Sequence, residues 1–192
     1  MVPFPRLFVV VTGLPASGKT TVGRALSNQL HLPFMDKDHV LETLFDALGA
    51  ESPQGRTRLS RASDAVLESM ALASQGAVLV SFWRRQGMSG ASGTPTEWLS
   101  ALAASDAVVE VHCECDPAVA VDRFARRQRH PDHFDQRFSE EELLKGFRQL
   151  GMEGSMLGTA AVRVDTNDAV DLPSVTLLVR EAATRYGWSE ID

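Results

Sequence analysis

One short stretch, residues 9–26, limits the possible architectures of this chain more than any other part of it. It reads VVVTGLPASGKTTVGRAL, and residues 13–20 within it match the pattern G-x-x-x-x-G-K-[ST]. A β-branched strand is predicted before the loop, over 6–12, and an amphipathic helix after it, over 18–30. In such a turn the backbone N–H groups point inward and, with the helix N-terminus, bind phosphate oxygens.

The residue types in this loop are those that a nucleoside triphosphate requires. Lys19 supplies a positive charge to the β and γ phosphates, and Thr20 supplies a hydroxyl ligand for Mg²⁺. The chain has only three lysines against sixteen arginines, so a lysine at this position is not background composition. We therefore predict ATP as the cofactor, with Mg²⁺, bound by Gly13, Leu14, Pro15, Ala16, Ser17, Gly18, Lys19, Thr20 and Thr21.

Composition limits the kind of partner. The 192 residues, 44% of them apolar, fit one domain with a substantial core. The net charge of -6 argues against a general binder of nucleic acid or anionic membranes, and no segment approaches the ~18 consecutive apolar residues of a membrane span. Cys113 and Cys115 make no disulfide framework and are interpreted as small buried residues in a reducing cytoplasm. We expect a cytoplasmic monomer or homodimer.

The rest of the chain alternates between strand-like and helix-like segments. This alternation predicts an α/β fold in which helices cover both faces of a parallel sheet, as a three-layer sandwich. Residues 51–58 are predicted to form a polar loop, and Thr94 with Glu97 resembles a capping box. The helix predicted over 59–75 is expected to turn inward Ala62, Ala65, Val66, Ser69 and Met70.

Two carboxylates follow the second predicted strand, in the sequence FMDKD of residues 34–38. Ligands of such sheets bind beyond the carboxyl ends of the strands, so this pair is expected near the γ-phosphate. Asp36 is predicted to hold a magnesium water, and Asp38 to accept the proton of an attacking hydroxyl. The alternative is that Asp38 merely caps a helix predicted to begin at Val40.

At this point the sequence resembles the small-molecule P-loop kinases. The stretch FMDKDH is similar to the strand-two Asp-x-Asp of shikimate and gluconate kinases, in which the second aspartate lies near the acceptor hydroxyl and the first helps to hold magnesium. Chloramphenicol phosphotransferase and polynucleotide kinase also place a catalytic aspartate at the position of Asp38. The resemblance implies one P-loop kinase domain over 1–192, a five-stranded parallel sheet of order 2-3-1-4-5, and a small mobile helical lid at about 123–138.

Four arginines fall within residues 123–129. Arg123 and Arg127 are four apart and are predicted to share a helix face, where like charges repel unless an anion lies between them. A transferred phosphoryl group would be such an anion, and a solvated basic face is the alternative. The segment resembles the lid of gluconate-kinase-like enzymes, in which arginines precede a His-Phe pair, here His133 and Phe134. That resemblance places Arg127 at the phosphates and Arg123 near the adenine.

The loop after the fifth strand, around Thr166, borders the adenine in such kinases; a plain turn is the alternative. The third predicted strand, over 77–82, ends without the acidic residue that many NTPases carry there, so Mg²⁺ must rely on Thr20, phosphates and water, with Asp36 or Ser81 behind them. Position 41 is leucine where polynucleotide kinases carry arginine, which argues against a phosphate-bearing acceptor. Arg84 and Arg85 either hold an anionic group of the substrate or are surface arginines, and Trp83 lines either the pocket or the core.

The predicted activity is transfer of the γ-phosphoryl group of ATP to a hydroxyl of a small molecule, a metabolite or an antibiotic. Lys19, Asp38 and Arg127 are the predicted catalytic residues, with Thr20 and Asp36 at the metal. The nearest alternative is a kinase of nucleosides, nucleotides or polynucleotide 5′-hydroxyls. An alternative of another class is a nucleotide-dependent switch or interaction protein that has no acceptor.

Overall fold

The structure is a computed structural model of the chain, and it describes residues 5–84, 93–133, 138–151, 156–157 and 161–189. The strands are β1 (Leu7–Gly13), β2 (Phe34–Asp36), β3 (Gly76–Val80), β4 (Ala107–Glu114) and β5 (Val162–Asp165). The helices are α1 (Lys19–Leu30), α2 (Lys37–Leu48), α3 (Pro53–Ala73), α4 (Glu97–Ala103), α5 (Pro117–Arg126), α6 (Glu140–Gly151) and α7 (Leu172–Thr184). A 3-10 turn, Pro131–His133, follows α5.

The five strands form one parallel sheet in the order β2-β3-β1-β4-β5, which confirms the predicted α/β fold and strand order. Val9 in the centre lies opposite Val78 of β3 and Val109 of β4, and Asp36 lies opposite Val80. Because the strands are parallel, their carboxyl ends meet at one edge of the sheet. The predicted phosphate loop after β1 and the aspartate at the end of β2 therefore fall on the same edge.

Successive residues of the central strands enter two separate cores, because side chains alternate across a sheet. Val9 and Val11 pack into the core beneath α1 and α7. Phe8 and Val10 pack into the opposite core, with Leu67 and other residues of α3 and α4. Burial of both faces explains why β1 and β3 read as continuous apolar runs instead of alternating ones.

The expectations drawn from composition can be compared with the structure in two respects. Both cysteines are free thiols; Cys113 is buried in the first core, whereas Cys115 is half-buried beside Arg123, at 3.7 Å from its Nη1. Burial raises the pKa of the Cys113 thiol to about 12, so this group behaves as a small apolar residue. Within the described ranges, no helix combines the length and apolarity that crossing a bilayer demands.

Helix α3 differs from its prediction at both its start and its buried face. It begins at Pro53, because Ser52 accepts the Gly55 N–H at 3.1 Å and proline suits a first helical turn, so the loop predicted over 51–58 is wrong. The predicted inward residues Ala62, Ala65, Val66, Ser69 and Met70 are not the buried face either. The buried stripe consists of Leu59, Ser63, Leu67 and Ala71.

Ser63 conceals that stripe in the sequence, because a polar residue interrupts it. Its hydroxyl donates to the Ser60 carbonyl at 2.8 Å, which allows full burial without an unsatisfied group. The alanine-rich stripe of α3 is exposed instead, with Met70 44% accessible. The helical periodicity of α3 is therefore compatible with either of two faces being buried, and packing against the rest of the fold selected the face that contains Ser63.

Two further boundaries depart from prediction. Helix α5 ends at Arg126, and Arg127 follows in an extended conformation with φ of -74° and ψ of 140°, so Arg123 and Arg127 do not share a helix face. Helix α4 begins at Glu97, preceded by Thr96 without a side-chain cap, and the capping box predicted for Thr94 is wrong. The Thr94 hydroxyl contacts other side chains, described below.

Candidate functional site

An open cleft of about 1620 Å³ lies over the carboxyl ends of the strands. Six of the nine predicted loop residues line it: Pro15, Ala16, Gly18, Lys19, Thr20 and Thr21. The same cleft is lined by Asp36, Asp38, Arg123, Arg127 and Thr166. Gly13, Leu14 and Ser17 are not among the lining residues; Leu14 and Ser17 are buried, and Leu14 packs against α5 and α6. The fold thus brings these residues from four distant segments of sequence to one cavity.

The loop conformation depends on residues with positive φ. At Gly13, with φ of +137°, an added Cβ would lie 2.6 Å from the carbonyl oxygen of Cys113, so only glycine fits. Gly18, with φ of +88°, precedes α1 and offers no side chain to cap it. Because no side chain covers the first turn, the start of α1 is open to an anion, as phosphate binding requires.

The Lys19 side chain curls back under the loop. Its Nζ donates to the carbonyl oxygens of Gly13 at 3.1 Å and Leu14 at 2.6 Å. Burial lowers the pKa of Lys19 to about 8, and the positive charge of Arg127 contributes to this lowering. A triphosphate in the cleft would favour the charged amine, so Lys19 is suited to bind one.

Asp36 connects the phosphate loop to α2. Its Oδ2 accepts from the Thr20 hydroxyl at 3.0 Å, and its Oδ1 accepts from the Asp38 N–H, also at 3.0 Å. Asp36 is therefore the residue that caps α2, which begins at Lys37 rather than Val40. The alternative in which Asp38 is the cap is wrong, and the Asp38 carboxylate is left for another role.

The residues around Asp36 fit a magnesium ion. Burial, followed by the negative charge of Asp38, raises the pKa of Asp36, and a nearby cation would relieve both effects. The Thr20 proton is directed to Asp36, which leaves the lone pairs of Thr20 for a metal. Among the residues described, no group of three or more His, Cys, Asp or Glu side chains could enclose an ion. A site with so few protein ligands suits Mg²⁺, which usually keeps several waters and binds substrate phosphates.

Asp38 is paired with Arg129, a residue of the predicted lid segment that the sequence did not single out. Arg129 Nη2 lies 2.5 Å from Asp38 Oδ2, and the Asp38 side chain is 50% exposed. Burial acts to raise the pKa of Asp38, but Arg129 and then Lys37 outweigh it, so the pKa lies below its usual range. Asp38 is thus an ionised carboxylate at neutral pH.

The two arginines expected at the nucleotide occupy different positions. Arg123 donates to the carbonyl oxygens of Thr166 and Asn167, both at 2.7 Å, and so holds the loop after β5. The Thr166 hydroxyl donates to the Glu114 carbonyl at 2.7 Å, so its proton is already used within the fold. Arg127 stacks over the ring of Phe124, with Cζ 4.3 Å from the ring centroid, and lines the cleft.

Further contacts join the lid segment to α2. His133 Nε2 lies 2.8 Å from Glu42 Oε1, and His130 Nε2 lies 3.3 Å from Asp46 Oδ1. With Asp38, these carboxylates are spaced four residues apart along α2 and therefore share one face. That spacing was the available sequence signal for this surface. Phe134, the other half of the His-Phe pair, lies outside the described residues.

A further part of the cleft wall carries charges of both signs. Lys37 Nζ donates to the Ser60 hydroxyl at 2.8 Å and lies 3.9 Å from Asp64. Arg84 lines the cleft, and its Nη2 donates to the Gly93 carbonyl at 3.1 Å, whereas Arg85 falls outside the described ranges. Trp83 belongs to the core, where its Nε1 donates to the Val11 carbonyl at 2.9 Å.

Comparisons with known proteins agree with this geometry. The family model described as AAA domain matches residues 8–150. A shikimate kinase of Corynebacterium jeikeium strain K411 is 33% identical over 114 residues, which cover 57% of this chain; the match spans about half, 55%, of that curated relative. The crystal structure of a candidate kinase from Chloroflexus aurantiacus J-10-fl is 27% identical with a TM-score of 0.78, over 93% of this chain and 98% of that one.

A more distant neighbour supports the fold alone. The shikimate kinase of Bacteroides thetaiotaomicron is 19% identical with a TM-score of 0.57, over 91% of this chain and 97% of that one. The match to the family model, in contrast, spans most of the chain and includes the phosphate loop, the Asp36–Asp38 pair and the lid arginines. The chain therefore belongs to the AAA domain family, and its fold is that of the P-loop small-molecule kinases.

Proposed function

We propose that this protein is an ATP- and Mg²⁺-dependent kinase that transfers the γ-phosphoryl group to a hydroxyl of a small molecule. One observation carries the proposal. Asp36 bridges Thr20 and Asp38 by two hydrogen bonds of 3.0 Å. It therefore connects Thr20, the predicted metal ligand, to the backbone of Asp38, the residue predicted to take the proton of the substrate hydroxyl. The link supports the proposal because the metal-bound phosphate and the acceptor hydroxyl must lie side by side for in-line transfer.

The chain's own residues divide the work of in-line transfer. The loop N–H groups and Lys19 hold the triphosphate, and Arg127 adds positive charge where the transferred group carries negative charge. When bound, Mg²⁺ would be held by Thr20 and, through water, by Asp36, and would neutralise phosphate charge. Correct positioning of the two reactants supplies much of the rate enhancement in such reactions.

Asp38 is proposed to orient the acceptor hydroxyl and take its proton. A carboxylate whose pKa lies below the usual range is a weak base. This suffices, because phosphoryl transfer passes through a loose transition state in which the attacking oxygen loses its proton late. Orientation is therefore the larger part of the proposed role of Asp38.

The lid is proposed to be the segment 123–138 of a single kinase domain over 1–192. Its described part contacts α2 through Arg129 and His133, and Arg129 lines the cleft. Closure over both substrates would exclude water, which would otherwise compete with the acceptor for the phosphoryl group.

The acceptor is proposed to be a small polar metabolite or an antibiotic. The cleft wall presents Arg56 and Arg61 near one end of α3, and Asp64 and Glu68 further along it, which suits a polar molecule. Leu41 is buried, and this supports an acceptor without a phosphate beside its hydroxyl. Shikimate is the first compound to test, because a relative that matches over half its length is a shikimate kinase.

The test is acceptor-dependent release of ADP from ATP and Mg²⁺. Sugars, shikimate-like acids, nucleosides and antibiotics are screened, and mass spectrometry identifies a product heavier by one phosphoryl group. We expect one class to raise ADP release well above the rate without acceptor. ADP release that no acceptor stimulates, with no phosphorylated product, would contradict the proposal and favour a nucleotide-dependent switch.

A further inference from the structure

Two buried hydroxyl side chains and one half-buried carboxylate form a hydrogen-bonded chain at the wall of the cleft. Ser81 follows β3 directly, and its hydroxyl lies 2.6 Å from that of Thr94. The Thr94 hydroxyl donates to Asp64 Oδ1 of α3 at 2.7 Å. Ser81 is 5% and Thr94 1% exposed, so the two hydroxyls are shielded from bulk water, whereas the Asp64 side chain is 15% exposed.

The direction of each hydrogen bond follows from the chemistry of the groups. An ionised carboxylate only accepts, so Thr94 must donate its single proton to Asp64. Thr94 can then only accept from Ser81, and the Ser81 proton is committed to it. On the side of the cleft, the Ser81 oxygen can therefore only accept hydrogen bonds. Because Ser81 donates its proton to Thr94 and Thr94 donates to Asp64, the Ser81 oxygen becomes a stronger acceptor.

Ser81 occupies the position after the third strand at which many NTPases carry an acidic residue. Val80 pairs with Asp36 in the sheet, so Ser81 emerges beside the carboxyl end of β2. It lines the same cleft as Lys19 and Thr20. At this position, an oxygen that only accepts hydrogen bonds can hold a water molecule as a carboxylate would.

The need to anchor Thr94 does not by itself explain this hydrogen-bonded chain of side chains. Thr94 is already held by its backbone, since its N–H donates to the Phe82 carbonyl and its carbonyl accepts from Arg84 N–H, both at 2.8 Å. A valine would keep that backbone pairing and fill the same volume. The buried hydroxyl pair and the carboxylate thus add polarity where packing does not require it.

We propose that Ser81, Thr94 and Asp64 together replace the missing acidic residue, with Ser81 accepting a hydrogen bond from water bound to the Mg²⁺ that accompanies ATP. The proposal rests on the proposed function, because it assumes that Mg²⁺ enters with the nucleotide. Asp64 supplies the negative charge, Thr94 relays it, and Ser81 presents it to the cleft. All three are positioning residues that act through metal-bound water.

The test compares nucleotide affinity with and without the metal. Calorimetry gives the Kd of a non-hydrolysable ATP analogue in Mg²⁺ and in EDTA, and the ratio of these values is the magnesium gain. We expect Ser81→Ala and Thr94→Val to lower this gain about three- to tenfold, the range expected for one net hydrogen bond, and to leave affinity in EDTA unchanged. Ser63→Ala, which removes an equally buried hydroxyl one residue from Asp64, should keep the wild-type gain.

The outcomes separate the alternatives. A wild-type gain in both variants, or an equal loss of affinity in EDTA, would overturn the proposal and leave the chain a structural role only. Thermal melting checks folding, and Ser81→Ala, which deletes a single oxygen, decides alone should Thr94→Val be unstable. Failure of the kinase proposal would show differently, as wild-type protein with a magnesium gain but no phosphorylated product. Wild-type protein that binds no nucleotide would overturn both.

Discussion

Arg129 and Asp38 form an ion pair of 2.5 Å between the lid segment and the first turn of α2, although 91 residues separate them in sequence. Arg129 is 17% exposed and Asp38 is half exposed, so the pair sits at the margin of the cleft. The positive charge of Arg129 at this distance keeps the Asp38 carboxylate ionised. The lid therefore contacts the residue proposed to orient the acceptor, and lid position and acceptor binding are expected to be coupled.

Asp38→Asn keeps the shape of the side chain and removes its charge. We expect kcat for the phosphorylated product to fall about 10²- to 10⁴-fold, the usual contribution of a positioned acid or base. The Kd for ATP should change little, because Asp38 is proposed to contact the acceptor and not the nucleotide. Asp122→Asn is a matched control, since Asp122 is 51% exposed and paired with Arg126 outside the cleft lining. Equal activity of the two variants would exclude a catalytic role for Asp38.

Arg129→Met should shift the pH dependence of kcat/KM. The pKa of Asp38 lies below its usual range with Arg129 in place, and the proposed role of Asp38 requires the ionised form, so activity is expected to be lost only as pH falls through that low pKa. Without the guanidinium the pKa rises, and the acid limb of the profile moves to higher pH. Arg126→Met, which removes a 79% exposed arginine, should leave the acid limb in place. An unmoved limb in Arg129→Met would show that the pair does not control Asp38.

Nucleotide binding should take up a proton in alkaline solution. Burial lowers the pKa of Lys19 from 10.5 to about 8, so the free protein holds mostly neutral Lys19 at about pH 9 and mostly charged Lys19 at about pH 7. Phosphates favour the charged form, so a proton is bound with the nucleotide at the higher pH only. Calorimetry in two buffers of different ionisation enthalpy measures this uptake.

Lys145→Met, which changes an exposed lysine of α6, should retain the proton uptake, and Lys19→Met should abolish it. Identical binding enthalpies in both buffers at about pH 9 would mean that Lys19 is charged before the nucleotide arrives.

The contacts between the lid and α2 should differ in their contributions to stability. Glu42→Ala leaves His133, 1% exposed, without its carboxylate, and we expect a loss of about 1–3 kcal/mol in the free energy of unfolding. Asp46→Ala breaks a pair whose carboxylate is 77% exposed, and about 0.5 kcal/mol or less is expected. Urea unfolding of both variants gives the comparison. Similar losses would indicate that burial of His133 is unimportant to the docking of the lid.

Local patterns in the sequence determined the sheet and the phosphate loop. The loop needs glycine at positions 13 and 18 for backbone reasons that act within a few residues, and apolar runs read directly as buried strands. The same locality explains why Asp36 and Asp38 could be assigned to the cleft: each follows a strand end, and parallel strand ends meet at one edge.

Only the tertiary structure decided which residues contact one another across that edge. It selected Asp36 rather than Asp38 as the helix cap and paired Asp38 with Arg129 among four clustered arginines. It also brought Asp64 to Ser81 through Thr94. Propensity and periodicity describe a segment and its immediate neighbours, whereas these contacts depend on where helix ends and loops meet after the sheet has formed.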